Sequence, residues 1–183
     1  YNEIDDMFIP TDNLIIAVHS EEGTLFEKDT LSVIEELTDK SWTIPYSVRV
    51  DSLTNYSYVQ SIRDDLIVEP FIEDPQNKTN AFLERRQDIV SSEDIIYKSL
   101  ISEDKRTSVV SIIVDPPGPN KEDQNGELID YILGFIEPIK DSNKNLDIRL
   151  LGNPYLDYIS PRIVKSEMPV VMPLMMLLIF IIV

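Results

Sequence analysis

The chain has 183 residues, 33 acidic against 16 basic, for a formal net charge of −17, and it contains no cysteine. That charge repels phosphate backbones, so nucleic acid is not an expected partner, and the missing thiol excludes disulfides, thiolate catalysis and cysteine-based zinc sites. With 43% hydrophobic and 27% charged residues, a packed core is expected rather than disorder.

Residues 1–13 are polar and acidic, broken by Pro10 and Asp12-Asn13. Leu14 to Val18 is a short apolar run of buried-strand type. After a turn at Glu21-Glu22-Gly23, Thr24 and Glu27 have the spacing of a capping box, and Leu31, Ile34 and Leu37 recur at helical spacing up to Lys40. Pro45 breaks the chain. Tyr46, Val48 and Val50 then alternate with Ser47, Arg49 and Asp51 as a half-buried strand. Residues 14–52 thus read as one β-α-β unit.

Residues 53–106 form a long connection, an insertion with elements of its own. It holds the apolar patch Leu66–Ile72 and helical material around Phe82–Val90 and Ile95–Ile101, with Ser91 or Ser92 placed to cap the latter. Residues 107–152 repeat the first pattern. Val109 to Val114 is a strand closed by Pro116–Pro119. Leu128, Ile129, Ile132, Leu133, Ile136 and Ile139 make an amphipathic helix, and Asn143–Asn145 turn the chain. Leu146, Ile148 and Leu150 alternate with Asp147 and Arg149 as the last strand. Two β-α-β units in tandem predict an α+β fold, a ferredoxin-like split β-α-β sandwich with a helical insertion.

Pro154 and Pro161 break residues 153–167, with a helical turn at Arg162–Lys165. The final run, Met168–Val183, has no charged residue. As a helix it reaches about 24 Å, against a bilayer core of about 30 Å. It reads as a transmembrane helix cut off by the end of the chain. Residues 166–183 then start the span, with Met172, Leu174, Met175, Leu178 and Phe180 in the membrane, and residues 1–165 form a domain outside it.

No constellation of catalytic residues stands out. His19 is the only histidine and sits at a strand end, with no nucleophile-elbow glycine pattern anywhere. Carboxylate pairs occur at Asp5-Asp6, Asp64-Asp65, Glu73-Asp74, Glu93-Asp94 and Glu103-Asp104, but none has the ligand spacing of a calcium loop. With five glycines, no phosphate-cradling loop is present. Trp42 and the eight tyrosines are expected to pack in the core and at interfaces. The glycosylation patterns at Asn55 and Asn77 are too short to carry weight. The chain therefore reads as a non-enzymatic binding, gating or structural module, with no metal and no cofactor.

Several segments resemble a known family: Asp6–Phe8, Thr11–Val18, Thr24–Phe26, Trp42–Pro45, Val50–Asn55, Asp64–Leu66 and Leu151–Pro154 before the apolar run. Their order and spacing are similar to the first large extracytoplasmic loop of resistance-nodulation-division (RND) exporters, nearest to the MMPL-like branch. The resemblance implies a porter-like domain of a proton-driven exporter in the cell (inner) membrane, facing the periplasm or extracytoplasmic side. It implies partners in the lipid bilayer and a hydrophobic or lipid substrate, and a possible homo-oligomer. The ion relay of that family lies in transmembrane helices, so no relay residue maps onto this sequence. Leu66, Val68, Phe71 and Ile72 are the expected apolar lining of the substrate path, the alternative being a buried strand. The short tether Ser160–Glu167 is expected to couple domain motion to the membrane. The competing reading is the extracytoplasmic ligand-sensing domain of a membrane signalling receptor.

Overall fold

The computed structural model describes residues 12–62, 65–91, 93, 96–97, 99–116 and 121–182, with backbone alone at 12, 62, 121–123, 170 and 177–182. Asp5-Asp6, the Asp6–Phe8 segment, Asp64, Asp94, Ser92 and Pro117–Pro119 lie outside the described residues.

Strand β1 (Asp12–Ser20) places Leu14, Ile16 and Val18 on a fully buried face. Helix α1 (Lys28–Ser41) covers that face with Leu31, Val33, Ile34 and Leu37. It begins later than the capping-box pattern suggested. Glu27 is the N-cap and makes no side-chain cap bond, while the Thr24 hydroxyl accepts from the Phe26 N–H at 3.4 Å within the preceding turn.

Strand β2 (Ser47–Asp51) corrects another expectation. Val50 is buried, but Val48 is 60% exposed and Tyr46 stands in the left-handed region at φ 64°. The register against the neighbouring strand slips between Ser47 and Arg49. A bulge there adds a residue and breaks the alternation on which the sequence reading rested.

Strand β5 (Thr107–Val114) alternates perfectly, burying Ser108, Val110, Ile112 and Val114. Helix α3 (Lys121–Ser142) buries Leu128, Ile129, Ile132, Ile136 and Ile139, with Leu133 partly buried. Strand β6 (Leu146–Gly152) buries Leu146, Ile148 and Leu150. Helix α3 and strand β6 follow the expected periodicities, Leu133 being only partly buried, and β5 lies where a strand was expected.

The four strands form one sheet in the order β2-β5-β1-β6, every neighbouring pair antiparallel. Strands β1 and β2 therefore run parallel with β5 between them, and β5 and β6 run parallel with β1 between them. The fold is α+β, and this interleaving is compatible with a split β-α-β arrangement. The core lies where α1 and α3 meet the inward strand residues.

The insertion is not purely helical. A second antiparallel sheet, β3 (Ser57–Ile62) with β4 (Asp65–Pro70), precedes a 3-10 turn (Pro75–Asn77) and helix α2 (Asn80–Val90). Thr79 caps α2, accepting from the Phe82 N–H at 3.3 Å. The helix expected at Ile95–Ile101 is replaced, in its described part, by turns. Ile96, Leu100 and Ile101 are buried, and Ile101 bridges Ser108 at the start of β5. Ser91 ends α2 instead of starting a following helix.

The turn after β2 is held by side chains. Asn55 Oδ1 accepts from the Ser52 N–H at 2.8 Å, and Asn55 Nδ2 donates to the Val50 carbonyl at 2.8 Å. Thr38 Oγ1 joins from α1, donating to Ser52 Oγ at 2.9 Å. The Asn55 amide is thus committed to the fold. Asn55→Ala should cost about 2 kcal/mol through two lost bonds near buried groups, read as a lower urea midpoint with unchanged slope.

Among the described residues three aspartates have carboxyls held below the ordinary carboxylate range: Asp104 by hydrogen bonding to Ser102 and then the Arg106 N–H, Asp141 by Lys144, and Asp147 by Arg149. A lowered folded pKa contributes stability above the unfolded pKa and loses it as pH falls through the folded one. The turn at Ser102–Thr107, tied to β1 by the Ser20 N–H bonded to the Arg106 carbonyl at 2.8 Å, should therefore loosen first in acid. Amide exchange at Arg106 and Thr107 should accelerate below about pH 4 relative to the centre of β5.

Helix α4 (Asn153–Ile182) starts directly after β6. The chain does not break at Pro161 as expected, and Pro161, Pro169 and Pro173 all lie inside the helix. The prolines leave the carbonyls of Asp157, Lys165 and Pro169 without an N–H four residues on, and all three residues are exposed, where solvent can satisfy them.

Candidate functional site

The β3–β4 ribbon separates the four expected lining residues. Direct pairing of Val59 with Val68 and of Ser61 with Leu66 puts Val59, Leu66 and Val68 on one face. That face is open: Leu66 is 74% exposed, Val68 63% and Val59 54%. Phe71 and Ile72 are fully buried, so they belong to the core and line no open surface. The sequence reading missed Val59. Tyr58-Val59-Gln60-Ser61-Ile62 does not alternate between apolar and polar residues, so no strand period marked it.

The opposite face of the ribbon packs on α2 through a buried arginine. The Arg86 guanidinium carbon lies 4.7 Å from the ring centre of Tyr58, 5.1 Å from Phe71 and 4.9 Å from Phe82. Its Nη2 reaches Glu69 Oε1 at 2.5 Å, and Gln60 Nε2 donates to the same oxygen at 2.8 Å. Phe71 meets Tyr58 edge to face at 5.6 Å. Tyr58, Gln60 and Glu69 sit on the inward face together with Ile67, while Val59, Leu66 and Val68 face outward.

A second feature is a cleft of about 630 Å³ between α3 and the first turns of α4, lined by Asn125, Gly126, Asp157, Tyr158, Ser160, Pro161 and Arg162. Tyr158 donates its hydroxyl to Asp130 Oδ1 on α3, and this bond to a carboxylate pushes its phenol above the ordinary tyrosine range. Arg162 lies over the Tyr158 ring at 3.4 Å and donates to the Tyr158 carbonyl at 2.8 Å. Asn125 is 7% exposed, and its amide oxygen has no hydrogen-bond partner. No sequence pattern singled out Asn125 or Arg162 for a cleft, because the α3–α4 contact is tertiary.

Among the expected membrane residues, Met172, Leu174 and Met175 are exposed on α4, as are Met168, Val171 and Met176. The side chains of Leu178 and Phe180 lie outside the described residues. Among the described residues no helix is long and apolar enough to cross a membrane. The described part of α4 carries Asp157, Arg162, Lys165 and Glu167 before its apolar stretch.

His19 pairs through Nδ1 with Thr107 Oγ1 at 2.9 Å, bridging β1 and β5. Among the described residues no group of three or more histidine or acidic side chains is arranged to hold a metal ion. No family model matches the chain, and no curated protein matches it.

Proposed function

We propose that this chain is the extracytoplasmic domain of a membrane exporter of the RND superfamily, MMPL-like branch, in a ferredoxin-like arrangement, and that it forms part of the exit path for lipids or other hydrophobic substrates in a proton-driven pump. The observation that carries this reading is α4. It runs unbroken from the last sheet strand into the uncharged segment Met168–Val183, where the described apolar side chains Met168, Val171, Met172, Leu174, Met175 and Met176 are uncovered by the domain. Surfaces of that kind mark membrane or partner contact. The outward ribbon residues Val59, Leu66 and Val68 supply apolar contact on an otherwise acidic domain, and they replace the Leu66–Ile72 segment as the lining surface.

A helix without a loop at its origin transmits rotation between sheet and membrane, where a flexible tether would not. Inserting a glycine-serine spacer between Ser160 and Glu167 in the full-length protein should abolish efflux of a hydrophobic dye while leaving expression intact. Undiminished efflux with the spacer would sink the coupling role. The double substitution Leu66→Asp and Val68→Asp should leave the urea midpoint nearly unchanged, since both residues are exposed. It should also cut efflux several-fold, and unchanged efflux would remove the ribbon from the path.

A further inference from the structure

We propose that the free edge of β4 receives an extended strand of another protein, with lysine or arginine opposite Asp65 and Glu69 and apolar side chains opposite Leu66 and Val68. The ribbon's register exposes that edge. The Phe71 N–H donates to the Tyr56 carbonyl at 2.7 Å, so Tyr56 and Phe71 are a hydrogen-bonded pair at its base. Bonded and non-bonded pairs alternate along an antiparallel ladder. Gln60–Ile67 is therefore bonded, whereas Val59–Val68 and Ser61–Leu66 are not. The N–H and C=O groups of Leu66 and Val68 thus point away from β3. Among the described residues nothing meets them, and β4 has no other strand beside it. Pro70 takes the next place on the same edge, where its missing N–H costs the ribbon no bond.

Edges of this kind recruit another chain unless lysine, proline or a covering element blunts them. Here Leu66, Ile67 and Val68 are consecutive, apolar and exposed, with proline only at the end of the strand. Charge selects the occupant. Asp65 and Glu69 flank Ile67 on one face, Asp65 exposed and Glu69 partly exposed beyond its bond to Arg86. A basic residue directly opposite each is favoured, and an acidic one is repelled. A second copy fits poorly. Each copy carries −17, and β4 paired antiparallel with itself about Ile67 sets Asp65 against Glu69 twice. Sliding that pairing toward Pro70 loses the bonds that its absent N–H cannot make. A basic strand from another protein gains main-chain bonds along the edge, and its apolar residues widen the outward face of Val59, Leu66 and Val68.

The test uses the whole chain in a nonionic detergent and a fluorescein-labelled peptide, Lys-Val-Thr-Val-Lys, whose valines face Leu66 and Val68 and whose lysines face Asp65 and Glu69. Fluorescence anisotropy reads binding, and amide exchange reads the edge. Exchange at Leu66 and Val68 should slow on adding the peptide. Methylating the backbone nitrogens of both valines should weaken binding about ten-fold, the scale of two lost main-chain hydrogen bonds. Methylating the threonine nitrogen, which points away from β4, should leave binding within about two-fold. Val68→Pro removes an edge donor and no ribbon bond, so it should weaken binding about ten-fold while the Gln60 and Ile67 amides stay protected. Asp65→Lys, an exposed change, should weaken it too. Binding indifferent to valine methylation and to Val68→Pro would be charge attraction alone and would overturn the strand site, as would no binding. Slowed exchange at Leu66 and Val68 on concentrating the protein without peptide would make a second copy the occupant and overturn the assignment to another protein.

Discussion

Replacing Arg86 with alanine is expected to lower stability by about 3 kcal/mol, on the scale of truncating a well-packed buried side chain and breaking a buried ion pair. The guanidinium is 3% exposed and fills the space between three aromatic rings, so its loss leaves a cavity that Tyr58, Phe71 and Phe82 cannot close without moving the ribbon. The Glu69 pair is the lesser contribution, because that carboxylate is 43% exposed and water screens it. Two companion variants separate the effects. Arg86→Met retains much of the packing and should recover about half of the loss. Glu69→Gln should cost about 1 kcal/mol. Urea unfolding measures all three. Amide exchange across β3 and β4 should accelerate most in Arg86→Ala, since the ribbon's inward face rests on α2 through this residue. Equal stability of the alanine and methionine variants would show that the cage does not brace the ribbon.

Much of the fold was legible because its signals are local. Leu128, Ile129, Ile132, Ile136 and Ile139 repeat at helical spacing and are buried together on α3. Leu146, Ile148 and Leu150 alternate and are buried on β6. Periodicity reports which side of an element faces the core, and it does so wherever a single element has one wet and one dry side. It failed where geometry depended on a neighbour. The bulge at Val48 is a property of the β2–β5 pair, and the sequence of β2 alone reads as regular alternation. The Ile96–Ile101 segment has helical apolar spacing, yet Ile101 pairs with Ser108 and the chain turns instead. There a strand edge competes with the helix and wins.

The candidate site was less legible for the same reason. Leu66 and Val68 were chosen as apolar residues in a run, and Phe71 and Ile72 belonged to that run equally well. Only the ribbon register tells the outward pair from the buried pair. Arg86 reads in the sequence as one more charge on a polar helix, beside Arg85. Its burial follows from three rings contributed by β3, the end of β4 and α2, which come together only in the folded insertion. The α3–α4 cleft depends on a continuous α4, and Pro161 argued against that continuity.

Gly152→Ala is expected to be the most damaging added methyl among the described glycines, costing about 3 kcal/mol or more. Gly152 ends β6 at φ +127°, a conformation that L residues with a Cβ rarely adopt. The added carbon would sit 2.3 Å from the Asn13 carbonyl oxygen, 3.2 Å from Leu14 Cα and 3.3 Å from the Asn13 carbonyl carbon. All three are backbone atoms of the strand that pairs with β6, so no side chain can swing aside. Gly23→Ala provides the contrast. Its φ is also positive, at +71°, but the atom in the way is Oε1 of the flexible Glu27 side chain, and the cost should be about 1 kcal/mol. The difference matters for function because α4 begins at the next residue, Asn153, with no loop to absorb a displacement. Pushing β6 off β1 at Gly152 should therefore redirect the whole helix. The chain has no cysteine, so a pair introduced on exposed positions of α3 and α4 can be spin-labelled without background. The Gly152→Ala variant should show a shifted or broadened inter-helix distance and Gly23→Ala an unchanged one. An unshifted distance in Gly152→Ala would mean that the β6–α4 junction yields elsewhere, and that the helix is not held at the angle set by this glycine.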